Sequence, residues 1–160
     1  MCTGILFNHE SPFRPARFVT QKIISTAKRI AQGSGEKLVL GRLDISRGWG
    51  WAPEYVEAMW LMLQQDKPED FVIATGELNS LEDFVDTVFS ELGLNWKDHV
   101  MQNEAFMRPT ELLISFGNPE KAKKVLNCSN SKYASETHYY FLIGCTIKKN
   151  TGETPHEHSL

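Results

Sequence analysis

A chain of 160 residues, 41% of them hydrophobic, is long enough to enclose one core, since single domains become self-sufficient above roughly 70–80 residues. Its 17 basic and 20 acidic residues leave a formal charge of -3, which gives no general field for drawing nucleic acid or an anionic membrane. No apolar run reaches the roughly 18 residues of a membrane span, and Met1 to Asn8 lacks the basic flank of a signal peptide, so a soluble, cytoplasmic protein is expected.

Cys2 to Phe7 is a short apolar run that reads as an internal strand, although no residues precede it to form a partner strand. Asn8-His9-Glu10-Ser11-Pro12-Phe13-Arg14-Pro15 carries two prolines among polar side chains, which describes a fixed loop and a candidate site. From Phe18 to Gln32, Val19, Ile23, Ala27, Ile30 and Ala31 recur at helical spacing, and Gly33 with Gly35 supplies the stop. Lys37 to Gly41 is short and β-compatible, and Arg47-Gly48-Trp49-Gly50-Trp51 is a glycine-broken loop leading to Pro53, a residue suited to the first turn of a helix. The helix expected from Pro53 to Gln65 turns Tyr55, Val56, Met59, Trp60 and Met62 or Leu63 inward, with Trp60 in the core.

Phe71 to Ala74 is a second β run, ended by Thr75-Gly76. Ser80 stands where a helix N-cap belongs, with Glu82 and Asp83 in the first turn. Leu81, Phe84, Val85, Val88, Phe89 and Leu92 then mark one face of a helix, closed by Gly93. Lys97 to Met107 reads as an irregular connector before Arg108-Pro109-Thr110-Glu111, and Pro119 to Leu126 as a short helix started by proline. Past Asn127, Ser129 to Thr137 is polar and aperiodic, Tyr139 to Ile147 is a strand-like apolar run, and Asn150 to Leu160 reads as an unstructured tail. Alternating strands and helices argue for an α/β arrangement, with strands too few and too separated to make a large sheet.

Five cations, Arg14, Arg17, Lys22, Arg47 and Arg108, sit in loops or at loop edges. A guanidinium fork there is a common device for holding a phosphate, although most surface arginines are simply solvated. His9 has the intrinsic pKa for acid-base work, against the commoner use of histidine as a structural hydrogen-bonding group. Trp49, Trp51, Trp60 and Trp96 are candidates for stacking a base, but large aromatics more often fill a core. Cys2, Cys128 and Cys145 are odd in number and widely spaced, which indicates neither a disulfide framework nor a CxxC metal site. His138, His156, His158 and Cys145 lack the paired intervals of a zinc finger, so no metal is expected.

Gly4-Ile5-Leu6-Phe7-Asn8-His9-Glu10-Ser11-Pro12, Phe18-Val19-Thr20-Gln21-Lys22-Ile23, Ala52-Pro53-Glu54-Tyr55-Val56-Glu57-Ala58-Met59-Trp60, Phe71-Val72-Ile73-Ala74-Thr75-Gly76-Glu77 and Arg108-Pro109-Thr110-Glu111 together resemble GDP-mannose 4,6-dehydratase in order and separation. The resemblance implies an α/β fold: part of a Rossmann-type extended short-chain dehydrogenase/reductase, mainly its C-terminal substrate-binding region, with few short strands and several helices. Residues 1–126 would be the GDP-sugar-binding region and 127–160 a divergent tail. In that family an N-terminal Rossmann domain binds NADP and a smaller C-terminal region holds the GDP-sugar. The implied lyase reaction oxidises GDP-mannose at carbon 4, eliminates water across carbons 5 and 6 and returns the hydride to carbon 6. Its product, GDP-4-keto-6-deoxymannose, leads to GDP-fucose and related deoxysugars.

By the same resemblance His9 and Arg14 match cofactor-contacting positions, while Asn8, Val19, Lys22, Gly41, Arg47, Arg108 and Glu111 match positions lining the GDP-sugar pocket. The chemistry suits those roles, since a diphosphate needs convergent cations and a carboxylate can accept from ribose hydroxyls. Phe13 and Pro15 flank Arg14 in place of the family's arginine-and-glycine setting, and Gly48 stands where an aspartate commonly follows the pocket arginine. The sequence contains no GxxGxxG turn and no Tyr-x-x-x-Lys pair, so no catalytic residue is assigned. The expectation is a truncated dehydratase, a fragment or gene remnant, without activity alone. The alternative is a non-catalytic protein that binds sugar nucleotide or associates with full-length dehydratase subunits. Such a chain should expose apolar surface along Cys2 to Phe7 and the helix after Pro53.

Overall fold

The computed structural model describes residues 1–107 and 110–127. In chain order the strands and helices are β1 (Gly4–Leu6), β2 (His9–Glu10), α1 (Val19–Ala31), β3 (Leu38–Leu40), β4 (Ser46–Arg47), β5 (Gly50–Trp51), α2 (Ala52–Leu63), β6 (Phe71–Ile73), β7 (Asn79–Ser80), α3 (Leu81–Glu91), β8 (Val100–Gln102), β9 (Ile114–Ser115) and α4 (Glu120–Leu126). This is the α/β class expected, with short and mostly parallel strands. Composition pointed to one core, but the described residues form two compact units: one of 1–10, 44–81 and 112–127, the other of 11–43, 82–107 and 110–111. Each unit draws on separated stretches of the chain. None of the described helices is long and apolar enough to cross a membrane.

In the first unit β1 runs parallel to β6, with Gly4 opposite Phe71 and Leu6 opposite Ile73. Strand β2 runs parallel to β5, and β4 is flanked by antiparallel β7 and parallel β9. The core of this unit is Tyr55, Ala58 and Met62 from α2, Phe71 and Ile73 from β6, and Ala122 and Leu126 from α4. Pro53 opens α2 in the first turn, as its fixed φ favours.

Two expectations for α2 are corrected. Tyr55 and Met62 face inward, but Val56, Met59, Trp60 and Leu63 are exposed, Trp60 at 60%. The cause is that α2 is apolar on two sides, and periodicity cannot tell which one meets a neighbour. Packing against β6 and α4 selects the stripe 55, 58 and 62, leaving 56, 59, 60 and 63 on the far side. Strand β1 is likewise exposed, with Ile5 at 52%. Exposed apolar surface was expected in both places.

The loop expected at Arg47 to Trp51 contains two strands of two residues each, β4 and β5, too short to register as a pattern. In the second unit α1 buries Ile23, Ile24, Ala27 and Ile30, while Val19 is half-buried and Ala31 exposed. Gly33 at φ 93° and Gly93 at φ 70° end α1 and α3 in the left-handed conformation that favours glycine. Leu81, Phe84, Val85, Val88 and Phe89 of α3 are buried as read from their spacing. The connector from Lys97 to Met107 is more ordered than expected. It holds two single 3-10 turns, Trp96–Asp98 and Glu104–Phe106, and β8 pairs in parallel with β3 between them. Three residues paired to a strand some sixty positions earlier carry no local periodicity. Arg108, Pro109, the run Tyr139 to Ile147, and the tail residues Cys128, Cys145, His138, His156 and His158 lie outside the described residues.

Candidate functional site

In the first unit the backbone brings Asn8, His9 and Tyr55 together. Gly50 N donates to the Asn8 carbonyl at 3.0 Å, and the Tyr55 hydroxyl donates to the same oxygen at 3.3 Å. His9 Nδ1 lies 2.9 Å from the Phe7 carbonyl, an acceptor only, so Nδ1 carries the proton and a neutral ring presents Nε2 as its acceptor. The imidazole also stacks on Tyr55, with ring centroids 4.6 Å apart and 27° between planes. Burial pushes the Tyr55 phenol well above its ordinary range, with the nearby Glu54 carboxylate adding to the effect. The phenol is therefore a constant neutral donor. A Cβ at Gly50 would sit 2.3 Å from Tyr55 Cε2, so glycine is what admits the ring. Sequence reading placed Tyr55 in the core and missed its hold on this loop.

Arg47 extends from β4 and donates through Nη1 to the carbonyls of Ser46 at 2.8 Å and Leu113 at 3.3 Å. Beside it, a Cβ on Gly48 would stand 2.6 Å from Thr75 Oγ1 and 2.7 Å from the Glu77 carbonyl. A side chain there would force the 75–77 turn to move.

In the second unit Lys22 Nζ donates to the Val39 carbonyl at 2.7 Å and lies 5.1 Å from the Phe106 ring centroid. Gly41 completes that corner, since a Cβ there would be 2.7 Å from the Phe106 carbonyl. Lys22 lines an open cleft of about 370 Å³ with Ser25, Arg29, Glu36 and Lys37, in which Arg29 pairs with Glu36 at 2.7 Å. Half-buried Val19 sits one turn before Lys22 on α1. Glu111 is half-buried. The Arg14 guanidinium lies 4.0 Å over the Phe18 ring. Thus Asn8, His9 and Arg47 belong to one unit and Arg14, Val19, Lys22, Gly41 and Glu111 to the other, while Arg108 falls outside the described residues.

The model of the family described as GDP-mannose 4,6 dehydratase matches residues 1–137. The chain belongs to the GDP-mannose 4,6-dehydratase family. It is 53% identical over 125 residues to GDP-mannose 4,6 dehydratase 1 of Arabidopsis thaliana, a match covering 78% of this chain and 35% of that protein. It is 48% identical over 141 residues to the Homo sapiens GDP-mannose 4,6 dehydratase, covering 78% and 38%. The match therefore spans little more than a third of the length of these dehydratases. Among solved structures it is similar to dTDP-glucose 4,6-dehydratase from Bacillus anthracis in complex with NAD, with TM-score 0.76, 18% identity and coverage of 95% of this chain and 46% of that one. RMD from Pseudomonas aeruginosa complexed with NADPH gives TM-score 0.75 at 15% identity, covering 91% and 45%. These likenesses establish the Rossmann-type fold of this GDP-mannose 4,6-dehydratase relative.

Proposed function

We propose that this chain is the GDP-sugar-binding part of a GDP-mannose 4,6-dehydratase, serving the conversion of GDP-mannose to GDP-4-keto-6-deoxymannose and water in cytoplasmic deoxysugar synthesis. The observation that carries the reading is Lys22, tied to the Val39 carbonyl and lining an open cleft within a segment matched to dehydratases. In this reading Lys22 and Arg108 supply charge to the diphosphate and Glu111 accepts from ribose hydroxyls. Val19 and Gly41 shape the remaining wall.

The cofactor of the whole family reaction, NADP, carries the hydride between carbons 4 and 6. In the present chain His9 Nδ1 is engaged by Phe7, and the Arg14 guanidinium lies on Phe18. Those two side chains offer edge contacts and no cradle for a pyrophosphate, and the sequence has no glycine-rich turn to provide one. The residues present do not make a cofactor site, so no hydride step is assigned to them, and the chain alone binds without turnover.

Calorimetry with GDP and GDP-mannose tests this. Binding should occur, weaken about 10-fold or more in Lys22→Ala, as loss of a charge-assisted contact implies, and be accompanied by no product in the presence of NADP. Absence of binding at millimolar nucleotide would sink the reading. A second reading, a subunit-interaction protein without catalysis, is favoured by the exposed apolar stripe on α2.

A further inference from the structure

In the first unit, helices α2 and α4 both pack against β6. At the C-terminal end of that strand they leave a cavity of about 20 Å³, which is room for one water molecule and too little for a ligand. Ala58, Ile73 and Ala122 give the cavity apolar walls, and the carboxyl of Glu54 and the ammonium of Lys123 also line it. Both of these residues are half-buried.

Lys123 Nζ rests against the turn that follows β6. A Cβ on Gly76 would lie 3.7 Å from that nitrogen and 3.1 Å from Pro119 Cγ, so glycine, at φ 79°, gives α4 its seat on the 75–77 turn. Glu54 stands in the first turn of α2, where burial and then repulsion from Glu57 push its carboxyl up to about 7. A neutral carboxyl suits an apolar wall, but a carboxylate there is costly until a cation reaches it.

The elements packed against α2 narrow the choice of that cation. Strands β5 and β6 carry no charged residue. On β2, His9 stacks on Tyr55 with Nδ1 on the Phe7 carbonyl, and Glu10 is an acid, as is Glu77 in the turn. On α4, Glu120 is an acid and Lys124 is exposed. Lys121 Nζ is taken by Glu69 Oε2 at 2.8 Å and the Asp70 carbonyl at 2.8 Å. Lys123 is the cation of this set that lines the cavity.

We propose that Glu54 and Lys123 form a proton-gated clasp between α2 and α4: when Glu54 gives up its proton, the Lys123 ammonium swings off the Gly76 turn into the cavity and pairs with the new carboxylate. An ammonium group is close in size to the water that the cavity can hold, so the pair forms without moving either helix. With Glu54 protonated the clasp is open and Lys123 stays on the turn. The inference is independent of the nucleotide cleft, whose Lys22 belongs to the other unit.

An NMR titration of the whole chain from about pH 5 to 9, with 13C-labelled glutamate and lysine, tests the clasp. The Glu54 carboxyl carbon and the Lys123 Cε resonance should move with one shared midpoint, while Lys124 Cε stays still. Lys123→Met should raise the Glu54 midpoint by about one pH unit, or about 10-fold in proton affinity, as loss of a nearby opposite charge implies. Lys123→Arg keeps the charge and should leave the midpoint near that of the unaltered chain. The inference is overturned if Lys123 Cε ignores the Glu54 titration, if Lys123→Met leaves the midpoint in place, or if Lys123→Arg shifts it as far as methionine does. The first of these is read on the unaltered chain, so it decides the matter even where a variant folds poorly.

Discussion

The imidazole of His9 stacks on the phenol of Tyr55 at 4.6 Å between centroids, although 46 positions separate the two residues in sequence. One aromatic side chain at the start of α2 thereby fixes the strand β2 that follows β1. Its hydroxyl reaches the Asn8 carbonyl, and its ring fills the space left by Gly50.

Tyr55→Phe keeps the ring and loses only a long hydrogen bond, so the loss in stability should be about 0.5–1.5 kcal/mol. Tyr55→Ala removes the ring from the core and should cost about 3–5 kcal/mol. Urea unfolding distinguishes the two, and equal losses would show that the ring does not pack as described. In the native protein, spectrophotometric titration should find one tyrosine ionising well above the ordinary range.

Gly50→Ala should be destabilising by about 1–3 kcal/mol, because the new methyl would overlap a ring that is itself buried. Pairing it with Tyr55→Ala should remove much of that penalty, since the clashing atoms are gone. A double-mutant cycle by chemical denaturation measures the coupling, and strict additivity would contradict it.

Glu54 is half-buried at the start of α2, and its carboxyl is pushed up from 4.5 to about 7, first by burial and then by repulsion from Glu57. A raised folded-state pKa means that the folded chain holds the proton more tightly than the unfolded one. The contribution is fully present below pH 4.5 and is lost as pH rises through about 7. Glu54 and Lys123 of α4 line one small cavity. Denaturation midpoints measured from pH 5 to 8 should fall for this group, and Glu54→Gln should flatten the fall. An identical descent in the variant would assign it elsewhere.

Trp60→Glu should change stability by no more than about 0.5 kcal/mol, because the side chain is exposed, and should raise solubility by breaking the apolar stripe. Phe84→Ala, at a fully buried position of α3, should cost about 3–5 kcal/mol. Thermal melts of the two variants side by side provide the check. A large loss at Trp60 would place it in the core after all.

What could be read from the residue order was whatever depends on near neighbours. The 81, 84, 85, 88, 89 spacing marks the buried face of α3, the glycines at 33 and 93 mark helix ends, and Pro53 marks the start of α2. Trp60 shows the boundary of that legibility. With apolar residues on both sides of α2, only the presence of β6 and α4 against Tyr55, Ala58 and Met62 decided which side was inside. Strand β8 shows it again, since its definition is a partner, Leu38–Leu40, far away in the chain.

Sequence by itself determined the α/β class, the helix positions and the dehydratase family, because local periodicity, caps and ordered motifs act over a few residues and survive without a fold. Tertiary structure alone decided that Gly50 yields its space to Tyr55, that Lys22 is tied to Val39 beside Phe106, and that the outer stripe of α2 stays open. Those outcomes depend on which distant surfaces meet, and burial is a property of the meeting.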